Sequence, residues 1–357
     1  MTIKHGANLF DLAKELHIEK SSIMDFSSNI NPFGSSVKAK KVVAENMDAV
    51  SIYPDPDYVN LKKSISEYAS CSPDNIILGS GATELISKYI SFINPKNALL
   101  ICPAYSEYER ELNKHNCNIY KYLAQKEKDF KIDMHDLVDT INNNHCDFLI
   151  LCNPNNPTGF AFTNEEVKFI LSSTSCYVMV DETYVEFTDK AKYSCSQLID
   201  SFSKLFVIRG TSKFFSTPGI RLGYALLSDK DVHQKIQDTL DLWNINIFAS
   251  MMGEIMFVDN DFISSTVDKI KKERDYLTDS LKLLNGVKVY DSFGNFILCE
   301  ICSKAVTSAS LYDSMAKKGI IIRDCSSFGL GDYFFRVCVL KHDENEKLIA
   351  ELTKVLS

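Results

Sequence analysis

From residue 60 to about residue 230, short apolar runs alternate with stretches in which apolar residues recur every three or four positions. The short runs are continuously apolar, which is typical of strands that are covered on both faces of a sheet. This alternation of strand and helix signals predicts an α/β protein with a mostly parallel, doubly wound sheet. The predicted strands are Ile76–Leu78, Ala98–Cys102, Phe148–Cys152, Tyr177–Val180, Phe206–Ile208 and Tyr224–Leu227.

Two of the intervening stretches carry clear helix signals. The stretch Thr83–Ile93 places its apolar residues on one face. Thr163 stands three residues before Glu166, which is the spacing of a capping box at the start of a helix. We therefore expect helices between the strands, as a doubly wound sheet requires.

Beyond about residue 240 the pattern changes. A long amphipathic stretch, Asp261–Leu284, is followed by strand-like and helical segments that predict a smaller α+β unit. These segments are Val287–Tyr290, Phe296–Ile301 and Phe334–Val339 for the strands, and Leu311–Lys318 and Glu344–Leu356 for the helices. At roughly 150 residues per domain, the length of 357 residues suits two domains. We expect a large domain over 36–245, a small domain over 246–357, and an N-terminal arm over 1–35 that joins the small domain.

Composition and charge argue against several classes of protein. The chain has 39 Lys and Arg against 47 Asp and Glu, whereas a protein that binds the nucleic-acid backbone usually has the opposite imbalance. No apolar run approaches the roughly 18 residues that span a bilayer, and the N-terminus lacks the apolar region of a signal peptide. We therefore expect a cytoplasmic protein that binds neither nucleic acid nor membrane.

The 11 cysteines argue against a disulfide framework. Their number is odd, and most lie in apolar, strand-like runs, which fits free thiols in a reducing compartment. Cys299 and Cys302 form a C-x-x-C pair without a second pair nearby, so we expect no metal site.

The candidate chemistry lies where the predicted strands end, at the sheet edge where open α/β folds bind ligands. Glycines that precede a helix start, as in Gly79–Glu84, allow close backbone approach and suit a phosphate group. Asp181 follows four apolar residues and needs a partner, because an unpaired buried charge is costly. The polar sequences at this edge are Gly79–Glu84, Pro103–Tyr108, Asn153–Gly159, Asp181–Tyr184 and Arg209–Gly223.

Considered together, these sequences supply the groups that hold pyridoxal phosphate as a Schiff base. A desolvated lysine amine can form the imine. A carboxylate keeps the pyridine nitrogen protonated, so that the ring accepts electrons from a carbanion. Asparagine and tyrosine can hydrogen-bond the ring hydroxyl, and arginine neutralises the phosphate. Each sequence alone has an ordinary explanation as a turn or a core residue, and only the combination points to the cofactor.

The sequence resembles fold-type I pyridoxal-phosphate enzymes of the class I/II aminotransferase family. The motifs that carry this resemblance are, in chain order, G-x-G-x-T-E, N-P-x-N-P-T-G, D-E-x-Y and S-K, with an arginine eight residues beyond the lysine. The likeness runs from about His5 to the C-terminus. It implies the PLP-dependent transferase-like fold, with Lys213 as the Schiff-base residue, Asp181 on the pyridine nitrogen and Tyr184 on the ring oxygen as the catalytic groups. It also implies a homodimer, in which Tyr53 reaches the cofactor phosphate of the neighbouring subunit. The implied cofactor-binding residues are Gly81, Ala82, Thr83, Tyr105, Asn156, Asp181, Tyr184, Ser212, Lys213, Arg221 and Tyr53.

Both ends of the chain resemble the threonine-phosphate decarboxylases of the cobalamin pathway, a subgroup of this family. The opening 5–8 and the segment Asp25–Gly34 are similar to those enzymes, and two segments near the C-terminus each contribute an arginine. A guanidinium group can bind a carboxylate or a phosphate through two bonds, so two arginines suit a substrate that carries both anions. The substrate-binding residues that this resemblance implies are His5, Gly6, Asn29, Asn156, Arg323 and Arg336.

The resemblance implies decarboxylation of L-threonine O-3-phosphate to (R)-1-aminopropan-2-yl phosphate. An aminotransferase of the histidinol-phosphate type, using the same site, is the alternative. The choice depends on substrate orientation within about an ångström, which motifs do not resolve. An inactive relative is a further alternative, against which the intact Lys213, Asp181 and Arg221 argue.

Two positions bear on this subgroup assignment. Gly210 stands three residues before Lys213, where the family usually has a serine or threonine that binds the cofactor phosphate. Either the hydroxyl of Thr211 substitutes for it, or one hydrogen bond to the cofactor phosphate is lost. Tyr184 is more typical of the aminotransferase branch, because some decarboxylases carry phenylalanine there.

Overall fold

The computed structural model describes residues 9–303 and 305–356. The helices are α1 Leu9–Leu16, α2 Val37–Glu45, α3 Val59–Ala69, α4 Ala82–Ile93, α5 Ser106–Asn113, α6 Met134–Asn143, α7 Asn164–Ser173, α8 Lys190–Tyr193, α9 Lys230–Gln237, α10 Ile247–Met256, α11 Asn260–Lys282, α12 Ser308–Ala316 and α13 His342–Leu356. The strands are β1 Met24–Asp25, β2 Ile76–Gly79, β3 Asn97–Cys102, β4 Asn118–Leu123, β5 Phe148–Cys152, β6 Tyr177–Asp181, β7 Leu205–Gly210, β8 Gly223–Leu226, β9 Val287–Val289, β10 Phe296–Ile301, β11 Ile320–Ile321, β12 Arg323–Asp324 and β13 Phe334–Cys338.

The larger sheet has seven strands in the order β2-β8-β7-β6-β5-β3-β4. Strand β8 runs antiparallel to both of its neighbours, and the pairs from β7 to β4 are parallel. The central strands are buried on both faces, which explains why their sequences are continuously apolar. Helices pack on both sides, and the expected mostly parallel, doubly wound sheet is confirmed. The capping box of Thr163 and Glu166 is present at the start of α7.

The smaller sheet has four antiparallel strands in the order β12-β13-β10-β9. The long helix α11 contacts α13 and β9, which gives the predicted α+β arrangement after the larger sheet. Near the N-terminus, the short strand β1 pairs in parallel with β11, so the chain before α2 lies against the C-terminal part of the molecule.

The domain boundaries at 35/36 and 245/246 stay predictions. Contacts cross the second of them, because α10 packs against α2 and α3. Among residues 9–303 and 305–356, no helix is long and apolar enough to cross a membrane.

Strand β4 is the main element of the larger sheet that the sequence pattern does not predict. It lies at the sheet edge and pairs only with β3, and most of its residues are exposed or half-buried. An edge strand of this kind lacks the continuous apolar run by which its neighbours are recognised.

Candidate active site

A cavity of about 340 Å³ opens at the ends of the parallel strands. Its lining contains nearly every site residue that the sequence predicts, although these residues are spread over more than 300 positions of the chain. The predicted residues that line it are Asn29, Gly81, Ala82, Thr83, Tyr105, Asn156, Asp181, Tyr184, Ser212, Lys213, Arg221, Arg323 and Arg336. His5 and Gly6 lie outside the described residues, and Tyr53 lies outside the cavity.

One end of the cavity is formed by the start of α4. Gly81 is the N-cap with φ of 86°, a conformation that favours glycine, and it places the first backbone amides of the helix at the cavity wall. Arg221 lies so close to Gly81 that a Cβ there would collide with its guanidinium group. Free amides at a helix start beside an arginine form a binding site for an anion.

Three glycines let the start of α4 approach the sheet closely. Gly79, Gly223 and Gly210 stand side by side on β2, β8 and β7, and we call them the glycine row. A Cβ on Gly223 would lie 2.6 Å from the amide nitrogen of Ala82 and 2.7 Å from the carbonyl carbon of Gly81. Only a residue without a side chain fits beneath this helix start.

Thr211 does not take the place of the missing hydroxyl at Gly210. Its side chain is buried and donates to the carbonyl of Leu222 at 3.0 Å, and it does not line the cavity. The suggestion that Thr211 replaces this hydroxyl is therefore wrong. Gly210 itself packs towards Ala82, with 3.3 Å between a Cβ at position 210 and the Ala82 Cβ.

Asp181 is held by donors on both carboxylate oxygens. The Tyr108 hydroxyl donates to Oδ2 at 2.6 Å, and the backbone amide of Thr183 donates to Oδ1 at 2.9 Å. Burial raises the pKa of Asp181, while these hydrogen bonds act in the opposite direction. The carboxylate thus lies at the cavity wall in a fixed orientation.

Lys213 follows β7, and its amine donates to the backbone carbonyl of Ser28 at 2.7 Å. Burial, together with the nearby positive charge of Arg336, lowers the pKa of this amine to about 8. An amine with a pKa near neutrality can act as a nucleophile and can exchange protons.

Arg336 connects the smaller sheet to the cavity. Its guanidinium group donates to the side-chain oxygen of Asn156 and, at 2.7 Å, to the backbone carbonyl of Ser27. Nearby, the amide of Asn29 donates to the hydroxyl of Tyr184 at 3.3 Å. Arg336 Nε and Asn29 Oδ1 are buried without a hydrogen-bond partner among the described residues, which leaves one donor and one acceptor for a ligand.

A second arginine enters from β12. Arg323 donates to the hydroxyl of Ser327 at 2.9 Å, and its guanidinium carbon lies 5.2 Å from the ring centre of Phe328. All three residues line the cavity. Arg323 and Arg336 are both buried and line the same cavity. Burial, and then the charge of Arg336, lower the pKa of Arg323.

These groups fit pyridoxal phosphate. The start of α4 with Arg221 suits the phosphate, and the fixed carboxylate of Asp181 suits a protonated ring nitrogen. Lys213 supplies an amine whose pKa is lowered to about 8. Asn29 Oδ1 and Arg336 Nε, which have no partner among the described residues, are available to hydrogen-bond a bound group.

Comparison with known proteins agrees with this geometry. The family model "Aminotransferase class I and II" matches residues 21–352. The chain belongs to this family. It is therefore an enzyme of a class that depends on pyridoxal phosphate, and both the fold and the cofactor expected from the sequence are confirmed.

The relatives of this aminotransferase family member have two different activities. The chain is 35% identical to a Caldanaerobacter subterraneus subsp. tengcongensis protein named "Putative threonine-phosphate decarboxylase", over 98% of this chain and 93% of that one. It is 30% identical to a histidinol-phosphate aminotransferase of Methanosphaera stadtmanae, over 98% and 95% of the two chains. The crystal structure of the Clostridium acetobutylicum histidinol-phosphate aminotransferase has a TM-score of 0.87 and 33% identity, and covers 94% of this chain and 99% of that one.

Tyr53 is the one described site residue that stands apart. It is 75% exposed and stacks on Trp243, with 4.2 Å between the ring centres. Its predicted contact with a neighbouring subunit stays a prediction.

Several lining residues have no role that the sequence predicts. Tyr108 and Thr183 lie inside the polar sequences at the sheet edge, but nothing in the sequence indicates their bonds to Asp181. Ser27 and Ser28 act through backbone carbonyls, for which no residue type gives a signal.

Proposed function

We propose that this enzyme decarboxylates L-threonine O-3-phosphate to (R)-1-aminopropan-2-yl phosphate. The observation that carries the proposal is the charge of the cavity lining. Arg221, Arg323, Arg336 and Lys213 line it, whereas Asp181 is the only acidic residue among the described lining residues. If Arg221 binds the cofactor phosphate, two arginines remain for the two anionic groups of one substrate.

The cofactor would be held by residues from five elements and loops. The start of α4 and Arg221 would bind its phosphate, Asp181 its ring nitrogen, and Lys213 its aldehyde carbon. Tyr105 would lie against the ring face, and the ring oxygen would be bound by Asn156 and Tyr184. When bound, pyridoxal phosphate supplies an electron sink for negative charge that develops at the substrate Cα. The phosphate-binding residues in this proposal are Gly81, Ala82, Thr83, Ser212 and Arg221.

Arg336 and Arg323 would orient the substrate. Arg336 is buried and tied to Asn156 and to the backbone, so its position is fixed before a ligand arrives. Such a guanidinium group can bind a carboxylate without reorganising, and Arg323 would then bind the remaining anionic group. Asn29 Oδ1 would accept from a donor of the substrate. This orientation of the substrate would select which bond at Cα is broken.

Lys213 would move the proton. Its lowered pKa leaves a substantial fraction of the amine neutral near physiological pH. A neutral amine in contact with the cavity can accept a proton, and the ammonium group that results can return one to Cα after carbon dioxide has left. The same amine would carry a proton between carbon atoms in the alternative reaction, transamination.

The aminotransferase alternative is favoured by a specific observation, the 33% identity and TM-score of 0.87 with a histidinol-phosphate aminotransferase. Incubating the purified holoenzyme with threonine phosphate, with and without 2-oxoglutarate, distinguishes the two reactions. Decarboxylation releases carbon dioxide without the keto acid. Consumption of the keto acid without carbon dioxide release would show transamination instead, and the Lys213→Ala variant should do neither.

We also propose that the active unit is a homodimer, with Tyr53 reaching the partner's cofactor phosphate. The exposure of Tyr53 on a surface with other exposed apolar side chains, including Val50 and Ile52, supports this proposal. Light scattering measures the oligomeric state. If Tyr53 acts across the interface, mixing inactive Lys213→Ala with Tyr53→Ala protomers should give hybrid dimers with one partly restored site.

A further inference from the structure

The segment from Asp25 to Asn31 contacts two of the cationic side chains that line the cavity, Lys213 and Arg336. The backbone carbonyl of Ser28 accepts from the Lys213 amine at 2.7 Å, and the preceding carbonyl, of Ser27, accepts from Arg336 at 2.7 Å. The amide of Asn31 also donates to the backbone carbonyl of Lys213 at 3.0 Å. Two consecutive carbonyl groups thus bind the amine and a guanidinium group.

One carboxylate fixes the conformation of this turn. Asp25 Oδ1 accepts from the backbone amide of Ser27 at 2.8 Å and from its hydroxyl at 2.6 Å. Asp25 Oδ2 accepts from the hydroxyl of Ser28. Both oxygens are therefore engaged with the two residues whose carbonyls face the cations.

The turn is anchored to the C-terminal part of the chain on both sides of Phe26. The Phe26 amide donates to the carbonyl of Ile321 at 2.8 Å, and the Phe26 carbonyl accepts from the amide of Cys338 at 2.8 Å. With its base held in this way, the conformation of the next two residues depends on the side chain of Asp25.

From this geometry we propose that Asp25 is a positioning residue, which holds the Ser28 carbonyl as the acceptor for the free Lys213 amine and the Ser27 carbonyl as the acceptor for Arg336. The inference rests on the proposed function, in which these two side chains act on cofactor and substrate. Asp25 touches neither of those molecules in the proposal, and it acts on the two cations through the turn and through its charge.

Charge acts in the same direction as geometry. Arg336 lies near the Lys213 amine and disfavours its protonated form, whereas the carboxylates of Asp25 and Asp181 favour that form. Loss of Asp25 removes one of the favourable charges and also releases the carbonyl that accepts from the amine. Both changes make the protonated amine less stable.

The test compares Asp25→Ala and Asp25→Asn with Asp133→Ala as the matched control. Asp133 likewise accepts from two backbone amides, those of His135 and Asp136 at 2.9 and 3.2 Å, but it does so at the start of α6. It is exposed, and its partners do not line the cavity, whereas Ser27 and Ser28 do. The first measurement is the pH midpoint for acylation of Lys213 in the cofactor-free protein, followed by peptide mass spectrometry.

We expect Asp25→Ala to shift this midpoint below that of the wild type, which should lie at about pH 8. Asp25→Asn should shift it less, because the amide oxygen can still accept from Ser27. If Asp25→Ala does not fold, the Asp25→Asn variant alone provides the test. Asp133→Ala should leave the midpoint unchanged. A midpoint that stays at the wild-type value in both Asp25 variants would overturn the inference, even if both lower the melting temperature.

The second measurement is a separation of KM from kcat in the holoenzyme. Displacement of Arg336 should raise KM, displacement of the amine should lower kcat, and together they should reduce kcat/KM of Asp25→Ala by about 10- to 100-fold. A shifted midpoint in an enzyme that does not act on threonine phosphate would support the role of Asp25 and refute the proposed substrate. An unshifted midpoint in an enzyme that decarboxylates threonine phosphate would refute the role of Asp25 and support the proposed substrate.

Discussion

Substitution of Gly223 by alanine tests the glycine row beneath α4. The added Cβ would lie 2.6 Å from the amide nitrogen of Ala82 and 2.7 Å from the carbonyl carbon of Gly81, and both are backbone atoms that cannot rotate away. Relief requires the helix start to move outward by roughly half an ångström or more. Overpacking of this kind costs about 1–3 kcal/mol.

Much of that cost should appear in cofactor binding, because the displaced amides are those that would bind the phosphate. A change of 1.4 kcal/mol is about tenfold in affinity, so Gly223→Ala should weaken pyridoxal phosphate binding by about 5- to 150-fold. The assay is a spectroscopic titration of the apoprotein with the cofactor, accompanied by the melting temperature of the apoprotein. Gly219→Ala is the control, because a Cβ there has nothing within 4 Å.

Gly210→Ala should give an intermediate result, since its Cβ meets the Ala82 Cβ at 3.3 Å rather than backbone. The affinity for pyridoxal phosphate should therefore be highest in Gly219→Ala, intermediate in Gly210→Ala and lowest in Gly223→Ala. Wild-type affinity in Gly223→Ala would refute the close approach of helix and sheet. An equal loss in Gly219→Ala would show that any glycine substitution in this region disturbs the site, and would refute the specific role of the row.

Three further predictions concern buried polar groups. Cofactor uptake by the apoprotein should become faster as the pH rises through about 8, because only the neutral amine of Lys213 reacts, and a rate independent of pH would contradict this. Tyr108→Phe should weaken cofactor binding by up to about 10- to 150-fold in equilibrium dialysis, since Asp181 loses a donor worth roughly 1.5–3 kcal/mol, and unchanged binding would show that the bond is dispensable. Arg209→Leu should lower the free energy of unfolding in urea by about 3–5 kcal/mol, because it leaves Glu182 buried without its ion pair. Adding Glu182→Leu should recover most of that loss, and failure to do so would locate the effect elsewhere.

The sequence predicts the position of the site well because of how parallel sheets are built. Buried strands produce continuous apolar runs, so a polar residue such as Asp181 at the end of one is visible, and all such ends lie at one edge of the sheet. The same reasoning cannot find an edge strand such as β4, whose exposed face has no apolar requirement.

Contacts that depend on register or on backbone groups are also beyond sequence reasoning. From the sequence alone, the glycine at position 210, where the family usually has serine or threonine, indicates only a missing hydroxyl. The pairing of Gly210 with Gly223 in the structure shows that position 210 lies in the glycine row. Likewise, Ser28 holds Lys213 through a carbonyl that any residue possesses, and only the fold brings the two together.

The arrangement of cations suggests how substrate binding and proton transfer are linked in the proposed reaction. Arg336 disfavours a proton on Lys213, so a substrate carboxylate bound to Arg336 would offset that positive charge and make the amine a stronger base. When the carboxylate leaves as carbon dioxide, Arg336 acts on the amine again, and an ammonium group at Lys213 becomes a stronger acid at the moment when Cα needs a proton. Transamination leaves the carboxylate in place and lacks this reversal. In the proposed decarboxylation, the charge of Arg336 near Lys213 would therefore set the moment at which the proton returns to Cα.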